Sequence, residues 1–135
     1  MYQNILVPVA FDEGRDTNRS IEIAEAIAGK GATITALHVI EEIPSYVAQY
    51  LPENQIADNI REIEASLAKT LAEHPQIQIK VIEGHAGHSI VDYAEADKTD
   101  CIVIASHRPG FQDWFLGSTA ARVVRHAPCS VHVVR

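Results

Sequence analysis

Several things are scarce in this chain, and each scarcity excludes something. Two cysteines, Cys101 and Cys129, are the only ones in 135 residues. They do not make a disulfide framework, so both thiols are expected to be reduced. Cations are outnumbered, with 11 Lys and Arg against 18 Asp and Glu, a formal net charge of -7. Duplex nucleic acid is held by clustered cations that displace counterions, so this balance speaks against a nucleic-acid partner. No apolar stretch approaches the roughly 20 residues of a membrane span. No basic segment followed by a long apolar core precedes the first strand, so a cytoplasmic protein with no membrane partner is expected. Internal repeats, linkers and low-complexity tracts are missing, which leaves one domain over residues 1–135, long enough to bury a real core. There is no Gly-x-x-x-x-Gly-Lys-Ser/Thr loop and no nucleophile with a paired base. A designed catalytic activity is therefore not expected.

What is present is an orderly alternation of hydrophobic period. Asn4-Ile-Leu-Val-Pro-Val reads as a strand buried on both faces. From Arg15 to Gly29, Ile21, Ile23, Ala24, Ile27 and Ala28 recur at helical spacing, with Gly29 and Gly31 as the stop. A second strand runs from Ala32 to Ile40, and a loop from Glu41 to Pro52. Glu53 to His74 carries a narrow apolar stripe, Ile56, Ile60, Ile63, Leu67 and Leu71, and reads as a long helix ended by Pro75. Ile77 to Ile82 alternates like a strand near a sheet edge. Gly84-His-Ala-Gly-His-Ser reads as a turn into a helix from about Ser89 to Asp97; a strand from Asp100 to Ala105, a helix from Gly117 to His126 and a strand from Ser130 to Arg135 complete the chain. Strands alternating with helices imply an α/β fold: a doubly wound five-stranded parallel sheet, Rossmann-like, with helices on both faces. Ligands in such sheets bind outside the carboxyl ends of the strands, where strand order reverses. The loops 8–14 and 105–117 are expected to face one another there.

The most informative stretch is the last third. Cys101-Ile-Val-Ile-Ala gives way to Ser-His-Arg-Pro-Gly, and Leu116-Gly-Ser-Thr then opens a helical pattern of Ala and Val. Unpaired N–H groups at a helix start attract anions, and Gly lets a ligand approach the main chain. Gly117, Ser118 and Thr119 thus form a candidate phosphate site, with His107 and Arg108 able to add positive charge. The plainer alternatives are an ordinary helix cap at Ser118 and Thr119 and a solvated loop pair at His107-Arg108.

The chain as a whole resembles the universal stress protein family, and most closely the subgroup usually lettered F. The residues that carry this are Asn4-Ile-Leu-Val-Pro-Val, Leu37-His-Val-Ile, Glu83-Gly84, Ile102-Val-Ile-Ala-Ser-His-Arg-Pro and the ending from Leu116 to Arg135. The resemblance implies strand order 3-2-1-4-5 and an adenine-nucleotide site. ATP-binding members carry Gly-x-x-Gly, a spacer and Gly-Ser/Thr after strand four. This chain keeps Gly117-Ser118 but has Ala105 at the first glycine and lacks the second. Where the family usually has an aspartate in the first loop it has Ala10, with Asp12 nearby as a substitute. Carried over residue by residue, Pro8 and Ala10 would lie by the nucleoside with Val9 and Ile104 beside them. Val39 would meet adenine through its backbone, Ala105 would lie near the ribose, and Gly117, Ser118, Thr119 and Ala120 would hold the phosphates of ATP, ADP or AMP. The family also implies a homodimer joined antiparallel through the C-terminal strand, with a tetramer as the larger assembly. An exposed apolar edge over Val131 to Arg135 agrees with that.

Other residues are read more plainly. Asp12 and Glu13 suit a phosphate-bridging magnesium ion or, as the simpler reading, an acidic helix start. Seven histidines, among them His85 and His88, show no recognisable zinc spacing, so no protein metal site is expected. Trp114 and Phe115 in a polar loop either plug it against the core or, as the favoured reading, mark an interface. The expected function is a cytoplasmic ATP-binding, nucleotide-dependent stress-response regulator or adaptor. The alternative is a dimeric interaction module of the same fold that has lost nucleotide binding.

Overall fold

Three consecutive residues of the first strand, Ile5, Leu6 and Val7, are wholly buried, and a strand can bury every side chain only when both of its faces are covered. The computed structural model describes residues 1–10, 17–106 and 116–135 and shows how that cover is built. In chain order the elements are β1 (Tyr2–Pro8), α1 (Thr17–Ile27), β2 (Ala28–Glu41), α2 (Ser45–Ala48), α3 (Gln55–Thr70), β3 (Gln78–Gly84), α4 (Ala86–Ala96), β4 (Cys101–Ala105), α5 (Ser118–His126) and β5 (Ser130–Val134). The strands form one sheet in the order β3-β2-β1-β4-β5, and every pairing is parallel.

Successive side chains of a strand point to opposite faces, so each central strand divides its residues between two cores. Ile5, Val7, Cys101 and Val103 pack with Ile21 and Ala24 of α1 and Leu67 of α3. Leu6, Ile102 and Ile104 pack on the other face with Ile90 and Ala94 of α4 and Ala120 and Val123 of α5. The doubly wound parallel sheet expected from the alternating pattern is the observed one, and its order reverses between β1 and β4. Strand β3, whose alternation marked it as an edge, is an edge strand, and β5 is the other.

Polar contacts fasten the opposite, amino end. The Asp100 carboxylate accepts the N–H groups of Gln3 at 2.8 Å and Asn4 at 3.0 Å, which ties the start of β4 to the start of β1. On the outer layer, Glu25 of α1 meets His74 Nδ1 at 2.6 Å and accepts from Gln76 at 2.8 Å, which holds α1 to the turn before β3.

Some boundaries differ from the sequence reading. Helix α1 ends at Ile27 and passes directly into β2, so Gly29 and Gly31 are strand residues rather than the helix stop. They lie where the β1–β2 pairing jumps from Tyr2↔Ala28 to Asn4↔Thr33, and the extra residues of β2 are absorbed there. Helix α4 begins at Ala86 rather than Ser89, with His85 at the N-cap position and its carbonyl accepting the Ser89 N–H at 2.8 Å. The glycines that suggested a turn have another purpose at Gly87. It is buried in the helix, and a Cβ there would stand 2.5 Å from Arg122 Cδ of α5, so the small residue lets the two helices approach. Helix α3 is shorter than Glu53 to His74, and the loop before it contains the single turn α2.

Candidate functional site

The carboxyl end of the sheet is built from the exits of three adjacent strands. Pairing sets Pro8 beside Leu37, and Leu6 beside Ile102. Beyond that last pair, Pro8 and Val9 follow Leu6 by two and three residues, and Ile104 and Ala105 follow Ile102 by two and three. Val39 lies two residues beyond Leu37 on β2 and packs partly buried on the α4–α5 face. Pro8, Val9, Val39, Ile104 and Ala105 therefore share one end of β2, β1 and β4, at the point where strand order reverses. Ala10 follows Val9 and is half-buried.

Two devices fix this end. The first acts on Val9, one residue past the end of β1. Its N–H donates to Leu37 O at 2.8 Å, and its carbonyl lies 2.9 Å from His38 Nδ1. A carbonyl can only accept, so Nδ1 carries the proton in that bond. The second acts after β4. Ser106 is buried, and its N–H donates to Val134 O at 2.9 Å. The Ser106 carbonyl accepts the N–H of Gly117 at 2.8 Å, which pins together the two ends of the segment 107–116. Gly117 has an ordinary negative φ of -58°, so its need is room. A Cβ on it would stand 2.8 Å from that same Ser106 oxygen.

Helix α5 starts directly after this tie. Ala121 N–H donates to Gly117 O at 2.8 Å, the first bond of the helix. The amides of Ser118, Thr119 and Ala120 precede it in the first turn and have no helical acceptor. The N-cap residue, Gly117, supplies no side-chain cap, and Arg125 and His126 occupy the last turn. Basic residues there offset the negative end of the helix dipole, and the first turn carries the positive end. Ser118 is exposed, Thr119 half-exposed and Ala120 buried. This arrangement presents donors and a positive partial charge without any lysine.

The structure thus brings together Pro8, Val9, Ala10, Val39, Ile104 and Ala105 at the strand exits. Gly117, Ser118, Thr119 and Ala120 follow from the tie to Ser106. Asp12, Glu13, His107, Arg108, Trp114 and Phe115 lie outside the described residues. Sequence reasoning passed over His38 and Ser106. The signal for His38 was a single imidazole inside an otherwise apolar strand end. For Ser106 it was a polar residue directly after the apolar run Cys101 to Ala105.

The remaining titratable groups with shifted behaviour sit elsewhere. Cys101 lies at the amino end of β4, and its thiol is pushed up to about 11, by burial first, then by Cys129 and Asp100. Cys129 is raised by burial and then by Asp100. The two thiols pack into cores on opposite faces of the sheet, and both are free. Neither is an activated thiolate. Tyr93 on α4 is also raised, by burial and then by Asp97. Among the described residues no group of three or more His, Cys, Asp and Glu is arranged to hold a metal ion. Among them, too, no helix is long and apolar enough to cross a membrane.

Known proteins share this architecture along the full chain. Universal stress protein G of Salmonella typhimurium is 31% identical over 147 aligned residues that cover all of both chains. The solved structure of the universal stress protein UspA from Lactobacillus plantarum is 30% identical, covers 99% of this chain and 98% of that one, and superposes with a TM-score of 0.68. A universal stress protein family protein from Arabidopsis thaliana, solved with AMP bound, shares the fold at 19% identity and a TM-score of 0.63, covering 98% of this chain and 90% of that one. The F-type lettering rests on the residue pattern of the chain alone. The model of the universal stress protein family matches residues 1–135, and the chain belongs to that family.

Proposed function

We propose that this protein binds an adenine nucleotide at the carboxyl ends of β1, β2 and β4 and works as a stress-response regulator or adaptor in the cytoplasm. The observation that carries the reading is the pinned start of α5. Gly117 is held against Ser106, and the helix beyond it begins with first-turn amides that have no helical acceptor, beside the switch point of the sheet. The first-turn amides of Ser118, Thr119 and Ala120 would take the phosphates. Pro8, Val9 and Ala10 would border the nucleoside, with Ile104 and Ala105 on the ribose side and the Val39 backbone at the base. His107, Arg108 and Asp12 complete the proposed set from the sequence pattern. The AMP-bound Arabidopsis relative supports adenine as the base; ATP is the ligand proposed here, with ADP and AMP as alternatives. Magnesium, where it accompanies ATP, would sit with Asp12 and Glu13.

No catalytic step is assigned to the site, and slow ATP hydrolysis would be incidental. The outer edge of β5 is proposed to pair antiparallel with a second copy, giving a homodimer and, through a further surface, a tetramer. No nucleic-acid partner is proposed for so acidic a chain.

Calorimetric titration of ATP and AMP into nucleotide-stripped protein, with and without magnesium, tests this. Binding at micromolar strength, about -8 kcal/mol, is expected. Ser118→Trp should abolish the heat and leave the oligomer mass by light scattering unchanged. A titration with no heat and no thermal shift would remove the nucleotide reading and leave a dimeric interaction module. Sustained turnover of ATP, lost in Asp12→Ala, would overturn the non-catalytic assignment.

A further inference from the structure

Val9 is one step beyond β1, yet both of its backbone polar groups are held by consecutive residues of β2. In a parallel ladder, a residue bonds to the residues before and after its partner on the next strand. The bond from Val9 N–H to Leu37 O makes His38 the formal partner of Val9, and the next rung would join Val39 N–H to Val9 O. That rung is not made: among the described residues no backbone bond joins Val39 to Val9. The Val9 carbonyl accepts instead from the ring of His38, at 2.9 Å.

The consequence falls on Val39. Backbone groups of successive strand residues point to alternate neighbours. Since Leu37 faces β1, Val39 faces β1 as well, and β1 has ended there. Among the described residues, an amide and a carbonyl of one residue are thus left side by side at the carboxyl end of the sheet. A purine with an exocyclic amine offers the matching acceptor–donor pair along one edge.

We infer that His38 is a positioning residue for nucleotide binding: its ring takes the Val9 carbonyl out of the ladder and so leaves the Val39 amide open to the base. This rests on the nucleotide reading above and adds a residue that touches no ligand. The ring holds the exit of β1 with a side-chain donor. A backbone donor there would consume the group that reads the base.

The test uses the full chain and AMP. In 15N-labelled wild-type protein the Val39 amide should shift on AMP addition, and the His38 ring should show the proton on Nδ1. His38→Leu removes the donor and should raise the Kd for AMP roughly three- to tenfold, the span of one lost hydrogen bond. His38→Asn places an amide N–H near the former Nδ1 and should stay within about twofold of wild type. Wild-type binding with an unmoved Val39 amide, or with His38→Leu as tight as wild type, overturns the inference and spares the nucleotide site. Wild-type protein that binds no AMP overturns the nucleotide reading and the inference with it. If His38→Leu fails to fold, the ring tautomer, the Val39 shift and His38→Asn still decide.

Discussion

Replacing Gly117 by alanine isolates the tie on which the proposed phosphate site depends. The backbone at Gly117 is one that alanine adopts readily, so the whole penalty comes from crowding. The new methyl would stand 2.8 Å from the Ser106 carbonyl oxygen, against 3.4 Å or more for an ordinary contact. That oxygen is main chain and cannot rotate away. It is also the acceptor for the Gly117 N–H, at 2.8 Å, so relieving the contact stretches the bond. Losing the bond costs about 1 kcal/mol, and forcing a methyl into filled space adds about 1–3 kcal/mol. A stiffer unfolded chain returns about 0.4–1 kcal/mol. The net destabilisation is about 1–3 kcal/mol. At about 2.1 cal/mol/K of unfolding entropy per residue, a chain of 135 residues loses roughly 4–10 °C in Tm. Differential scanning calorimetry reads this directly, with Ser118→Ala as a control expected to change stability by less than about 0.5 kcal/mol. Because the start of α5 must move with the methyl, the Kd for AMP should rise at least tenfold in the same variant. A Gly117→Ala protein with wild-type Tm and wild-type affinity would refute both the crowding and its link to the site.

Three further outcomes are expected. Leu6 is wholly buried on the central strand against α4 and α5, so Leu6→Ala should cost about 3 kcal/mol by denaturant titration, more than any surface change. Thr99 is only 6% exposed, and its hydroxyl has no partner among the described residues; Thr99→Val keeps the shape, removes the buried polar atom and should raise stability by about 1 kcal/mol in the same titration. The Cys101 thiol is raised from 9.0 to about 11, so its contribution is complete below pH 9 and is lost as pH rises towards 11, where only the unfolded chain gains by ionising. That loss is about 2 kcal/mol, measured as the wild-type pH dependence of unfolding minus that of Cys101→Ala. At pH 8.5 alkylation of Cys101 should follow global unfolding, while the less buried Cys129 reacts sooner.

Much of the fold was legible because its signals are strong and local. A run such as Asn4 to Val9 has no polar face, which requires cover on both sides, and the alternation in β3 correctly marked an edge. Boundaries failed where a residue type serves two purposes. Gly29 and Gly31 looked like a helix stop and instead accommodate uneven pairing with β1. Gly87 looked like a turn and instead makes room for Arg122. At the site, the Gly-Ser-Thr opening of α5 was readable because helix starts have a distinctive composition. The bond from His38 to Val9 was not, since it joins residues 29 apart through a side chain whose direction depends on strand pairing. The hydrogen bond between Ser106 and Gly117 was hidden for a similar reason: it is main chain to main chain and leaves only the glycine as a trace.

That bond also bears on how such a protein tolerates change. With its base closed by Ser106 and Gly117, the segment 107–116 can be lengthened or shortened without transmitting the difference to the sheet or to α5. The entropic cost of closing a loop grows only with the logarithm of its length, so four added residues would cost roughly 0.3 kcal/mol. Insertions and deletions between these two positions are then nearly free, while the positions themselves are not. Descendants of one ancestral chain could vary this segment freely and keep the same sheet and helix.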